Sequence, residues 1–378
     1  MSSSKHFHLI VPVWGKTYTE LFTDVCLPML LTPGNIGVLD QANGDQFVIV
    51  TTWVDHLAIK RSLSYRRLQK KVSVEFVLID GIVNINNSHA AMSHCYGISM
   101  RRSSVIPGET HFIFLTPDSF WPDGTFRELV SLSLHGVRVA MAGGLRLNSE
   151  SMTTILKERI QQSPENPSIQ IHELARLALD NLHQMSDALN LLSSRKEFLN
   201  VWPSHMYWIN ERDHQLIAHC FHLHPLMVLS SKVPVKIGTT IDGEYLNNLP
   251  YTIDQYRVIG GEYMAFEFTP AERDWGQPLE IPSIAAMVKF TLLHTNRKHW
   301  HFFGQRIFLD GSPGTPVPLL LDQLIGWTVE AIQRQRMVAR LIQIFGLQRV
   351  VACLLRSRRV DRLFRRLLAW RINSRTYT

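Results

Sequence analysis

Along the first 150 residues, apolar positions switch repeatedly between a two-residue and a helical period, and the switching predicts the architecture. Residues 7–13 (FHLIVPV) run apolar and break at Trp14-Gly15, which reads as a first buried strand. Residues 18–31 place Leu21, Phe22, Val25, Cys26 and Met29 at helical spacing, with Pro28 expected to kink or shorten that helix. Pro33-Gly34-Asn35 marks a turn. Residues 46–52 (QFVIVTT) and 72–79 (VSVEFVLI) give a second and a third strand. Between them a helix is expected to start with Asp55 as its N-cap and to run through Leu63 and Leu68. Asn87-Ser88 opens a helix reaching about Met100, and a fourth strand opens the stretch HFIFLTPDSFWPDG at residues 111–124. Asp123 reads as the N-cap of the helix at 125–135, and a fifth strand at 137–142 ends in Gly143-Gly144. Strands separated by helices of roughly 10–15 residues mean βαβ crossovers and a mostly parallel sheet.

The second half is less regular. Residues 149–199 read as helical, interrupted by Pro164 and Pro167, with Leu174, Leu177, Ala178 and Leu182 keeping a period that serves packing. Short strand-like runs follow at 219–229 (HCFHLHPLMVL), 236–246 (KIGTTIDGEYL) and 256–270 (YRVIGGEYMAFEFTP), then a helix at 284–294. Residues 310–318 (DGSPGTPVP) form a linker, and amphipathic helices are expected at 320–345 and 348–372.

Composition changes this picture in one place. Hydrophobic residues make up 45% and charged residues 19% of the 378, an ordinary globular balance. The four cysteines (Cys26, Cys95, Cys220, Cys353) have no paired spacing, which suits a reducing compartment. No run approaches the roughly 18 apolar residues of a membrane span, so the expected home is the cytoplasm. The net charge of +7, however, belongs to the end of the chain: after residue 330 twelve arginines face Asp361 alone. Arginines beside Leu, Phe and Trp suit the surface of an anionic membrane first, then a partner helix or a second copy of the chain. Nucleic acid is the competing anion.

The candidate chemistry gathers at strand ends. Thr51-Thr52, Asp80 and Asp118 end three strands, and converging ends of this kind form a ligand crevice. Neither GxGxxG nor GxxxxGK[ST] occurs, so a nucleotide would be held without those phosphate-binding glycines. Arg146 has the forked donors that suit a phosphate. His219, His222 and His224 lie close together, and in an extended strand His222 and His224 would share a face and could bind a metal or phosphate, with Asp118 as a third ligand. Asp242, Glu244, Glu262 and Glu267 supply carboxylates, one of which could serve as a general base. No triad motif frames Cys95 or Cys220, which argues against a cysteine nucleophile.

The strand ending VPVWG, the segment LPMLLTPGNI, the strand ending TTWVDH and the strand ending LTPDSFWPDG resemble, in this order, bacterial glycosyltransferases of the GT-A architecture, glycosyltransferase-2-like, over about residues 6–270. The resemblance implies an α/β fold, a Rossmann-type mixed sheet flanked by helices. Its donor half would be residues 1–150 and its acceptor half 150–310, ahead of a basic amphipathic tail at 319–378. It implies transfer of a sugar from a UDP- or GDP-sugar to a glycan, lipid or protein acceptor. Pro12, Trp14, Thr51 and Asp55 would lie near the nucleotide, and Asp118 at the donor. The family's Asp-x-Asp motif holds manganese or magnesium on the diphosphate; here Asp118 takes its first position and Phe120 its third, so either Asp118 contacts sugar or ribose, or His222 or His224 completes the metal site. Glu262 or Asp242 would activate the acceptor hydroxyl. Two other classes stand beside this: a non-catalytic nucleotide-binding scaffold, and an adaptor whose function is the tail at a membrane or nucleic acid.

Overall fold

The computed structural model describes residues 5–81, 88–102, 109–191, 203–210, 214–271, 284–310 and 319–345. The expected tail helix at 348–372, Cys353 and most of the linker lie outside them. Two compact units are present, Met1–Gln323 and Leu324–Thr378. The helix Leu319–Phe345 runs from the first into the second.

The first unit is built on strands β1 (His6–Pro12), β2 (Gln46–Thr51), β3 (Ser73–Leu78), β4 (Thr110–Phe114), β5 (Ser119–Phe120), β6 (Val139–Ala142), β7 (Gly144–Asn148), β8 (His205–Asn210), β9 (Gln215–Cys220), β10 (His224–Leu229), β11 (Tyr256–Val258), β12 (Ala265–Thr269) and β13 (Ile307–Leu309). Seven of them form one sheet in the order β11-β6-β10-β4-β1-β2-β3. Neighbours from β4 to β3 are parallel, whereas β10 runs antiparallel to both β4 and β6. The sheet is therefore mixed. Every residue of β4 is buried, the condition under which a strand reads as an unbroken apolar run. Two smaller sheets, β5-β12-β7 and β13-β9-β8, complete the set.

Several local expectations are corrected by contacts between distant segments. Thr52, not Asp55, caps the helix Trp53–Arg61, its side chain accepting the Asp55 amide. That helix stops at Ser62, which caps a second one, Leu63–Leu68. Asp123 caps nothing: Gly124 occupies the N-cap of the helix Thr125–Leu134, and Asp123 instead accepts the Gly34 amide at 2.6 Å. The break expected at Pro28 takes the form of a π turn, Phe22–Cys26, just ahead of the short helix Leu27–Leu30. Proline lacks the N–H that would bond four residues back and crowds that carbonyl, and a wider turn relieves both problems.

Gly143-Gly144 ends the fifth strand as expected, and it is also a crossing point, because the chain enters β7 of another sheet at Gly144. A Cβ on Gly143 would stand 2.9 Å from the Cys220 sulfur, so a larger residue would obstruct the crossing. Residues 236–246 are not a strand either; Ile241–Tyr245 forms a π turn leading into Leu246–Asn248.

Candidate active site

The carboxyl ends of β1, β2, β3, β4 and β6 lie on one edge of the large sheet, and antiparallel β10 brings its amino end, His224, to the same edge. This is where open α/β sheets bind ligands. At it, Pro12 at the end of β1, Trp14 and Tyr18 from beyond it, and Pro117 and Asp118 from beyond β4 face Ser88, His89 and Met92 of the helix Ser88–Arg102. They enclose a cleft of about 120 Å³. That is the volume of about four liquid waters, enough for one ring of a ligand.

Asp55 sets the mouth of this cleft. Its carboxylate accepts the Gly15 amide at 2.9 Å, the Thr19 hydroxyl at 3.0 Å and the Thr52 hydroxyl at 2.7 Å. Gly15 has a φ of 84°, left-handed backbone that glycine adopts without cost, and it lets the chain turn directly after Trp14. Asp55 thus orders the loop carrying Trp14 and does not itself line the cleft. Asp55→Ala is expected to lower unfolding free energy by about 3 kcal/mol, because three donors lose their acceptor. Urea denaturation measures this; a loss below about 1 kcal/mol would mean the loop is held by other contacts. Thr51 is fully buried at the end of β2, where its carbonyl accepts the Ile79 amide.

Behind Asp118 lies a polar cluster. Arg146 of β7 bonds Glu267 of β12 at 3.0 Å and the Thr269 hydroxyl at 3.2 Å. Burial, and then the neighbouring Glu267 carboxylate, push the Asp118 carboxyl above its ordinary range, against a hydrogen bond from Thr116 and the charge of Arg146. The Asp118 carbonyl accepts the Phe268 amide at 2.8 Å, which fixes the segment after β4 to β12.

A second centre forms around His222. The expectation that His222 and His224 share one strand face is corrected, since His222 sits in the turn between β9 and β10 and only His224 belongs to β10. His222 Nε2 lies 3.2 Å from an Asp242 carboxylate oxygen, and its ring stacks on His299 at 5.2 Å. Burial opposes ionisation of Asp242, but the His222 charge and a hydrogen bond from Thr240 prevail and hold its carboxyl below the ordinary value. Asn296 braces this turn by donating to the Asp242 and Gly243 carbonyls. Burial and then the His222 charge push His205 and His299 down to about 3. His222 therefore stands against Asp242 among imidazoles that are neutral at neutral pH.

Three of the residues singled out from sequence (Pro12, Trp14, Asp118) meet in the cleft, Arg146 belongs to the polar cluster behind it, and His222 and Asp242 form the second centre. Glu262 is exposed on the turn Gly261–Tyr263. Sequence reading gave no role to Tyr18, His89, Met92, His299 or Asn296, and assigned Glu267 only to a pool of carboxylates. None of them carries a motif; helix facing and strand pairing place them. For a divalent metal, Asp118, His222 and His224 do not converge as a ligand set. His224 Nε2 lies 2.8 Å from the Phe114 carbonyl, and His222 is bound to Asp242. No group of three His, Cys, Asp or Glu able to hold a metal ion occurs among the described residues.

No family model and no curated protein matches the chain. Solved structures do. S. aureus TarS matches at 13% identity and a TM-score of 0.27, over 38% of this chain and 22% of TarS. Mouse xyloside xylosyltransferase 1 matches at 12% and 0.25, over 42% of this chain and 59% of that one. The mannosyltransferase Ktr4p of S. cerevisiae matches at 12% and 0.25, over 43% and 45%. The chain thus spans less than two thirds of each. A mannose-6-phosphate isomerase of Helicobacter pylori is matched as well. Scores of this size fall short of a shared whole fold, so the activity has to be read from the site's own residues.

Proposed function

We propose that the protein is a glycosyltransferase that takes a sugar from a nucleotide-sugar donor. The observation that carries this reading is the ring-sized cleft between Trp14, Pro12 and Pro117 with Asp118 in its wall, at the carboxyl edge of the sheet. The indole and the two prolines offer flat apolar faces to a nucleobase, and Asp118 offers an acceptor to a ribose or sugar hydroxyl. Arg146 lies one contact deeper, where its forked donors suit a diphosphate once Glu267 shares them. Asp242 and His222 take the acceptor side. In this reading His222 accepts the proton of the attacking hydroxyl, and Asp242 orients its ring. A UDP- or GDP-sugar is the donor class, and a glycan, lipid or protein hydroxyl the acceptor. Since Asp118, His222 and His224 do not fit a metal together, no step is assigned to one.

Isothermal titration with UDP-, GDP- and CMP-sugars, with and without manganese, tests the donor site. One nucleotide series is expected to bind at micromolar to millimolar affinity, and Trp14→Ala to weaken it about tenfold. Absence of binding by every donor under both conditions would refute the reading.

A further inference from the structure

The segment between Asp55 and Glu75 takes no part in the cleft, yet it is unusual in charge. It carries Lys60, Arg61, Arg66, Arg67, Lys70 and Lys71 with no acidic residue among them. Arg67 is committed to Glu165 at 3.2 Å, while the other five are exposed. Among these cations the fold turns large apolar side chains outward. Trp53 is 53% exposed, Val54 74% and Leu57 38% on the helix Trp53–Arg61, and Leu63 is 67% exposed at the start of the next helix.

Positions 53, 54 and 57 fall within about 100° of helix face, and Lys60 and Arg61 continue the same stripe one turn on. The Trp53 amide donates to Asp80 at 3.0 Å. Its indole lies on the His56 ring at 5.4 Å and 11°. The side chain is therefore held in place with one face supported, although it is largely open to water. Helical propensity does not ask for Trp and Val at solvent-facing positions, and burying them elsewhere would be favourable.

We propose that this face docks on an anionic lipid bilayer. Trp53, Val54, Leu57 and Leu63 enter the boundary between headgroups and acyl chains, and the exposed Lys and Arg side chains meet lipid phosphates. The charge complementarity selects the occupant. A nucleic acid would use the cations but gain nothing from Val54, Leu57 and Leu63, whereas an interfacial membrane surface uses an indole, aliphatic side chains and cations together. Long Lys and Arg stems keep their charged ends at the headgroups while the apolar side chains lie deeper.

The test is co-sedimentation of the full chain with phosphatidylcholine vesicles made with and without phosphatidylserine. Binding is expected only with phosphatidylserine. Trp53→Ser/Leu57→Ser and Lys60→Gln/Arg61→Gln/Arg66→Gln are each expected to weaken it about tenfold. Both sets change exposed side chains, and an unchanged thermal transition would confirm that the variants fold. Brominated lipids are expected to quench the wild-type tryptophan emission more than that of Trp53→Phe. Wild-type affinity in either variant would overturn the proposal, since residues elsewhere would then carry the contact. So would a lack of vesicle binding by the wild type, or loss in both variants of RNA retention but not of vesicle binding.

Discussion

Acidification from pH 6.5 toward pH 4 should unfold the protein cooperatively, with a midpoint near pH 5. His8, His111, His219 and His299 are all buried. Burial, the leading cause at each, lowers the first three to about 4 and His299 to about 3. In the folded state these rings stay neutral where the unfolded chain already binds protons. Their stability contribution is complete above pH 6.5 and is lost as the pH falls toward the folded values. Each ring costs on the order of 3 kcal/mol by pH 4. Four such losses, about 12 kcal/mol, are comparable to the roughly 5–15 kcal/mol net stability of an ordinary domain. Circular dichroism across this range, with proton uptake by calorimetry, measures the effect. His111→Phe should lower the midpoint and remove about one proton from the slope. A wild type still folded at pH 4 would show that these rings find charge partners.

On the proposed glycosyltransferase reading, Asp118→Asn should lower sugar transfer by roughly a hundred- to a thousandfold while leaving the fold intact. Asp118 lines the cleft and lies beside Glu267, and burial pushes its carboxyl above the usual range. Ionising it at neutral pH therefore costs folding free energy, and a neutral amide removes that cost. The melting temperature should stay level or rise as turnover falls. Steady-state kinetics and calorimetry on one preparation separate the two effects. Turnover within about threefold of wild type would remove Asp118 from the reaction. A lower melting temperature would show that it serves the fold instead.

Much of the framework was legible in the chain. The apolar runs of β1, β2, β3 and β4 and the helix after Ser88 follow from period and composition, because each buries a face that only apolar residues can fill. Asp118 was legible for the same reason, a carboxylate ending such a run. Capping and turns were less secure. Asp55 and Asp123 both have the local form of an N-cap, and each spends its carboxylate on a distant amide, Gly15 or Gly34. A side-chain acceptor goes to whichever donor the fold brings near, and sequence spacing does not reveal that donor.

The sequence by itself determined an α/β chain with a candidate ligand edge, Trp14 and Asp118 just beyond the ends of their strands, and a strongly basic end. Only the tertiary structure decided that β10 enters the large sheet antiparallel and that the chain changes sheets at Gly143-Gly144. It also decided that His222 belongs with Asp242 and His299, residues 20 and 77 positions away. Periodicity records which face of an element is buried, a local property of the chain. Pairing of charges and stacking of rings depend on where elements distant in sequence meet, and that is fixed by the packing of the whole unit.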